Sequence, residues 1–134
     1  MRRLILAAAL LLPMAAHAQV PLPTGVRSFG APGVSSIMSP PPSGQPLKLF
    51  GVSISPGASA GYLMVFESGS VPASGTVGAP LLRYCAPVAA STPYGFAWGQ
   101  LPDMFNNSVV VAFSSTGCGT FTPATALWLS AQVQ

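Results

Sequence analysis

Five consecutive apolar residues, Val109-Val110-Val111-Ala112-Phe113, lie between two turn signals. Asn106-Asn107-Ser108 precedes them, and Ser114-Ser115-Thr116-Gly117 follows, with Cys118 directly behind. A strand with one wet face alternates apolar and polar side chains. An unbroken run rich in valine instead predicts a strand covered on both faces. Such a strand needs apolar neighbours, and Gly61-Tyr62-Leu63-Met64-Val65-Phe66-Glu67 is the natural one.

The rest of the composition agrees with short strands. Of 134 residues only 5% are charged, against about a quarter in ordinary domains. The 15 prolines and 14 glycines are spread along the chain, which suits tight turns and disfavours long helices. The length predicts one domain.

The first 18 residues read as an export leader. Met1-Arg2-Arg3 is a short positive region, Leu4 to Leu12 is apolar, and Pro13 breaks the run. Ala16-His17-Ala18 then fits a small-x-small cleavage site before Gln19. The apolar run is about half the roughly 20 residues a membrane-spanning helix needs, so no stable membrane anchor is expected. Export to the periplasm or the medium follows. Without its leader the chain keeps Arg27, Lys48 and Arg83 against Glu67 and Asp103, which gives no electrostatic case for nucleic acid. The single histidine, His17, leaves with the leader. The mature chain then has no imidazole for a Ser-His or Cys-His pair or for a metal site.

Residues 19–46 are rich in Pro, Gly and Ser around Pro40-Pro41-Pro42 and predict an extended segment. Within it, Val26–Phe29 and Val34–Met38 are candidate edge strands. Residues 47–134 predict the compact β domain. Phe50, Val52 and Ile54 alternate with Gly51 and Ser53, as in a half-buried strand. Ser68 to Pro80 reads as a long surface loop, Leu81–Cys85 as a strand and Tyr94–Trp98 as alternating aromatics. Leu101–Phe105 reads as a connector. In the last strand Leu127, Leu129, Ala131 and Val133 share one side, with Trp128, Ser130 and Gln132 on the other. Six or seven strands and no helix beyond the leader predict a single antiparallel β-sandwich of jelly-roll or immunoglobulin-like type.

Cys85 and Cys118 are the only cysteines, and in an oxidising compartment they predict a disulfide. Candidates for catalysis are few. Serine lacks a base, and no cofactor motif or metal set is present. Glu67 and Asp103 are the one carboxylate pair that could flank a glycosidic bond, which leaves a small secreted hydrolase as a rival reading. A strand-end glutamate and a turn aspartate are the simpler account, so the chain is read as non-enzymatic. The large rings of Trp128, Trp98 and Tyr94 are the candidate contact residues for a protein or glycan surface, or for self-assembly, with Trp128 foremost.

Three stretches carry a resemblance: Gly61–Phe66 with Pro72-Ala73-Ser74-Gly75-Thr76-Val77 and Pro80, then Phe105–Thr116, then Ala126–Val133. Over residues 47–134 they resemble small uncharacterised β-domain proteins of proteobacterial phages and prophages. The resemblance implies a virion-associated structural role, such as decoration or tail, and no catalytic residues to carry over. The leader implies an exported bacterial protein. Both readings stand. If the leader is read correctly, mass spectrometry of the native product will find Gln19 as the first residue. A product retaining Met1 would contradict the export reading.

Overall fold

The computed structural model describes residues 25–77, 81–99 and 101–134. The leader, its cleavage pair Ala18 and Gln19, and the start of the extended segment lie outside the described residues. Eleven strands follow one another: β1 (Arg27–Val34), β2 (Ser36–Ser39), β3 (Leu47–Ser55), β4 (Gly61–Glu67), β5 (Gly75–Thr76) and β6 (Leu82–Val88). Then come β7 (Tyr94–Ala97), β8 (Asp103–Phe105), β9 (Val109–Ser114), β10 (Thr120–Phe121) and β11 (Ala126–Val133). Every pairing is antiparallel, and no helix occurs among the described residues. The expected six or seven strands were too few because β5, β8 and β10 are only two or three residues long. Such short pairings carry no periodicity to read.

Two open sheets account for most of the chain. The first has the order β1-β11-β3-β7, with β8 also on β3; the second has the order β2-β9-β4-β6. Leu49, Val52, Ile54, Leu129, Ala131 and Val133 from the first sheet meet Ile37, Leu63, Val65, Val111 and Phe113 from the second in one apolar core. Each fully buried side chain of this kind contributes about 1.5–3 kcal/mol, and together they make the arrangement sandwich-like. β1 and β2 serve both sheets, because the chain turns at Gly33 (φ 63°) and crosses from one edge to the other. The two edge strands expected within residues 19–46 therefore form, and both are built into the sheets. Pro32, which has no N–H to donate, is tolerated because β1 is an edge.

β9 is buried along its whole length, as its run of apolar residues predicts. One face supplies Val109, Val111 and Phe113 to the core between the sheets. The other supplies Val110 and Ala112 to a second cluster with Met64, Phe66 and Phe121. That second cluster is roofed by the supposed surface loop. Val77 packs on it, and β5 pairs with β10 above it, so part of the 68–80 stretch acts as a cover. Ser114 anchors the returning turn. Its buried hydroxyl accepts the N–H groups of Thr116 (3.2 Å) and Thr122 (3.0 Å). Cys85 of β6 and Cys118 in the turn form the expected disulfide, with Cα atoms 5.8 Å apart.

Three local readings are corrected. Phe50 is buried as expected but is an extra residue: Gln132 pairs with Gly51 and Val133 with Leu49, so the bulge reverses the phase and brings Leu47 and Leu49 into the core as well. Met104 and its neighbours form β8 on β3 rather than a simple connector. Leu127 does not join Leu129 in the core: it is 64% exposed beside Gly57, and Ala126 is buried in its place, so the alternation of β11 breaks between Ala126 and Leu129.

The disulfide closes a separation of 33 residues, worth about 3–4 kcal/mol on the chain-entropy account. A Cys85→Ser/Cys118→Ser double variant is expected to lose about that much in urea unfolding. Amide exchange should rise first in residues 115–122. A loss below about 1 kcal/mol would show that the cover holds without its staple.

Candidate functional site

The outward face of the first sheet carries an unusual row. Gly30 of β1 pairs with Ser130 of β11, Ser130 with Ser53 of β3, and Ser53 with Gly95 of β7. Side chains on a strand alternate between faces, and the neighbouring rows Ala31-Leu129-Ile54-Tyr94 and Phe29-Ala131-Val52 point inward, while Phe96 beside Val52 stays exposed and lines one of the grooves. Four of the smallest residues therefore line up across four strands on the outside. Ser130, Ser53 and Gly95 leave a trough across β11, β3 and β7, about 10 Å long by strand spacing.

Larger groups flank it. On one side lies Pro32-Trp128-Ser55, and on the other Ser28-Gln132-Gly51-Ala97, each row about 6.6 Å along the strands. Two grooves occupy the trough, of about 240 Å³ toward Gln132 and about 300 Å³ toward Trp128 and Tyr94. Both include Ser53 and Gly95, so they are continuous. The Ser53 and Ser130 hydroxyls are hydrogen-bonded at 2.7 Å on the floor. Trp128 leans over Gly30: a Cβ there would sit 3.0 Å from the indole and strike the Leu129 carbonyl oxygen. The ring covers one bare glycine and still leaves 44% of the residue exposed.

No lining residue is charged. Lys48, on the same strand as Ser53, directs its ammonium to Gln134 Oε1 at 3.4 Å. A neutral floor of hydroxyls, one amide and one indole can donate and accept hydrogen bonds and offer a flat apolar surface. It has no group to move a proton.

The three candidate aromatics separate. Trp128 stands on the outer face. Tyr94 and Trp98 are half-buried at the open edge between β7 and β6, where they pack against the core. Their centre is Tyr84, which stacks on Phe96 (4.7 Å) and meets Trp98 edge-on (5.7 Å). Its hydroxyl shares a 2.7 Å hydrogen bond with that of Tyr94. Tyr94 also reaches the Trp128 end of the trough, so the two regions touch.

The two carboxylates are brought together, but by an arginine. Arg83 Nη1 reaches Glu67 Oε2 at 3.1 Å and Nη2 reaches Asp103 Oδ1 at 3.0 Å, with the guanidinium over the Phe105 ring. The other Glu67 oxygen accepts the N–H groups of Asn106 (2.7 Å) and Asn107 (3.2 Å). Asp103 Oδ1 also accepts the Met104 N–H at 3.0 Å. This cluster ties β4 and β6 to β8 of the other sheet, and both acids are engaged as acceptors.

Sequence reasoning did not single out Ser53, Ser130, Gln132 or Gly95, although it placed Ser130 and Gln132 beside Trp128 on one side of the last strand. Their alignment depends on the register of four strands. Comparisons with protein-family models, curated proteins and solved structures find no match.

Burial and the hydrogen bond to Tyr94 push the Tyr84 phenol up to about 12. An unfolded tyrosine loses its proton near pH 10, so the folded state holds a proton that the unfolded state has released. This contribution is intact below about pH 10 and is lost as pH rises toward 12. Urea midpoints measured across that window are expected to fall less steeply in Tyr84→Phe than in the wild type. Equal slopes would contradict the assignment.

Proposed function

We propose that this chain is an exported, non-catalytic jelly-roll module that contacts a surface through the outer face of its first sheet. The observation that carries the proposal is Trp128, exposed on a sheet face whose other side chains are small, neutral and polar. Other features support the parts. The pairings β1·β11, β2·β9, β3·β7 and β4·β6 nest inside one another, and successive pairs alternate between the two sheets, as in a jelly roll. The Cys85–Cys118 bond is compatible with an oxidising, exported environment. The engagement of Glu67 and Asp103 by Arg83 and backbone N–H groups favours a structural role for both acids over hydrolysis. No helix among the described residues is long and apolar enough to cross a membrane.

A second reading, a virion-associated decoration or tail protein, is favoured by the same nested pairing, since jelly rolls serve in capsids as well as in lectins. The two diverge in where the protein resides. Fractionation should place the native protein outside the cytoplasm, and the purified mature form should co-sediment with cell envelopes. Trp128→Ala should weaken that retention about tenfold with an unchanged urea midpoint. Co-migration with particles after prophage induction would favour the second reading. Retention indifferent to Trp128 would overturn the contact face.

A further inference from the structure

Resting on the contact reading above, we infer that the Ser130-Ser53-Gly95 trough, bounded by Trp128 and Gln132, is a binding site for a neutral oligosaccharide. Three features of the trough lead there. First, its chemistry is mixed at short range: the Ser53 and Ser130 hydroxyls lie on the floor, Gln132 on one rim and the Trp128 indole on the other. A pyranose presents the matching combination, with hydroxyls around its edge and C–H groups on its faces. The indole offers an apolar plane to such a face, and the hydroxyl pair can exchange its mutual bond for bonds to the sugar.

Second, the lining is uncharged. A phosphate backbone, an acidic peptide or an anionic headgroup would find no cation in the trough to compensate its desolvation. The Arg83 guanidinium on the other sheet is already held between Glu67 and Asp103. Third, the shape is elongated and open at the side. The trough runs across β11, β3 and β7 at right angles to them, about 10 Å by strand spacing, and the Trp128 indole closes its Gly30 end. A peptide adding as a strand would use a sheet edge instead, and the trough lies on the face. A short run of linked sugars fits its length.

Gly95 makes the site testable without disturbing the fold. A Cβ built there meets only Ser53 Cβ and the Val52 carbonyl oxygen, both at 3.6 Å, an ordinary contact distance. Gly95→Val therefore fills the trough from a strand position that accepts a β-branched side chain. Ser53→Leu is the second block, from the neighbouring strand.

The test is calorimetric titration of the disulfide-intact mature protein with cellohexaose, maltohexaose and xylohexaose, with hexagalacturonate as the anionic comparator. The expected result is saturable binding of at least one neutral hexasaccharide and weaker binding of the anion. Affinity should fall about tenfold in Trp128→Ala and be abolished in whichever blocking variant keeps the wild-type urea midpoint. Absence of neutral binding, binding undiminished by a folded blocking variant, or equal affinity for the anion would overturn the inference. Should a blocking variant lose envelope retention while no neutral oligosaccharide competes for it, the glycan assignment fails and the contact face survives with a protein partner.

Discussion

The structure depends on β9 having no wet side. A strand reading Val-Val-Val-Ala-Phe cannot be half solvated without exposing apolar surface on one face, so the fold must cover it twice. The first sheet covers one face through the shared core. The other face is covered by a short ribbon of β5 and β10 with Phe121. A ribbon with two residues in each strand has little pairing energy of its own. Its position is held by Ser114, by packing on Phe66 and Met64, and by the covalent link from Cys118 back to β6.

The first sheet is built to the opposite rule. Its strands keep one apolar row facing in and one small or polar row facing out, and nothing in the described chain lies over the outer rows. Glycine and serine leave backbone close to the surface, a weakness in a sheet unless something else gains from the depression. At Gly30 the neighbouring indole restores some cover. At Gly95 only ordinary contacts stand in the way of a side chain, so packing does not account for the glycine there. The asymmetry between a sealed sheet and an open one is what directs the functional proposal to one face of the molecule.

Much of this was legible in the residues, and the failures have physical causes. The double burial of β9, its pairing with β4, the edge strands near Phe29 and Ile37 and the cysteine link all follow from local pattern. Phe50 is buried as its phase suggests, but the inward turn of Leu47 and Leu49 was missed because a bulge inverts alternation without altering composition. Asp103–Phe105 was missed because three residues are too few to show a period. Leu127 has the parity of a core residue, but the alternation of β11 breaks beside it and Ala126 is buried instead. The partnership of Arg83 with both acids joins residues 16 and 20 positions apart across two sheets, which no spacing rule anticipates. The trough has the same character: Gly30, Ser53, Gly95 and Ser130 are each unremarkable alone, and only register places them in one line.

The sealed and open faces can be compared directly by hydroxyl-radical footprinting of the folded protein, read by mass spectrometry at single residues. Trp128 and Met104 should be modified readily, while Met64 and Phe121 should react only when the protein is unfolded. Modification of Met64 or Phe121 at a rate near that of Trp128 in the native state would mean that the ribbon does not cover the second sheet. The distinction between the two faces would then be lost.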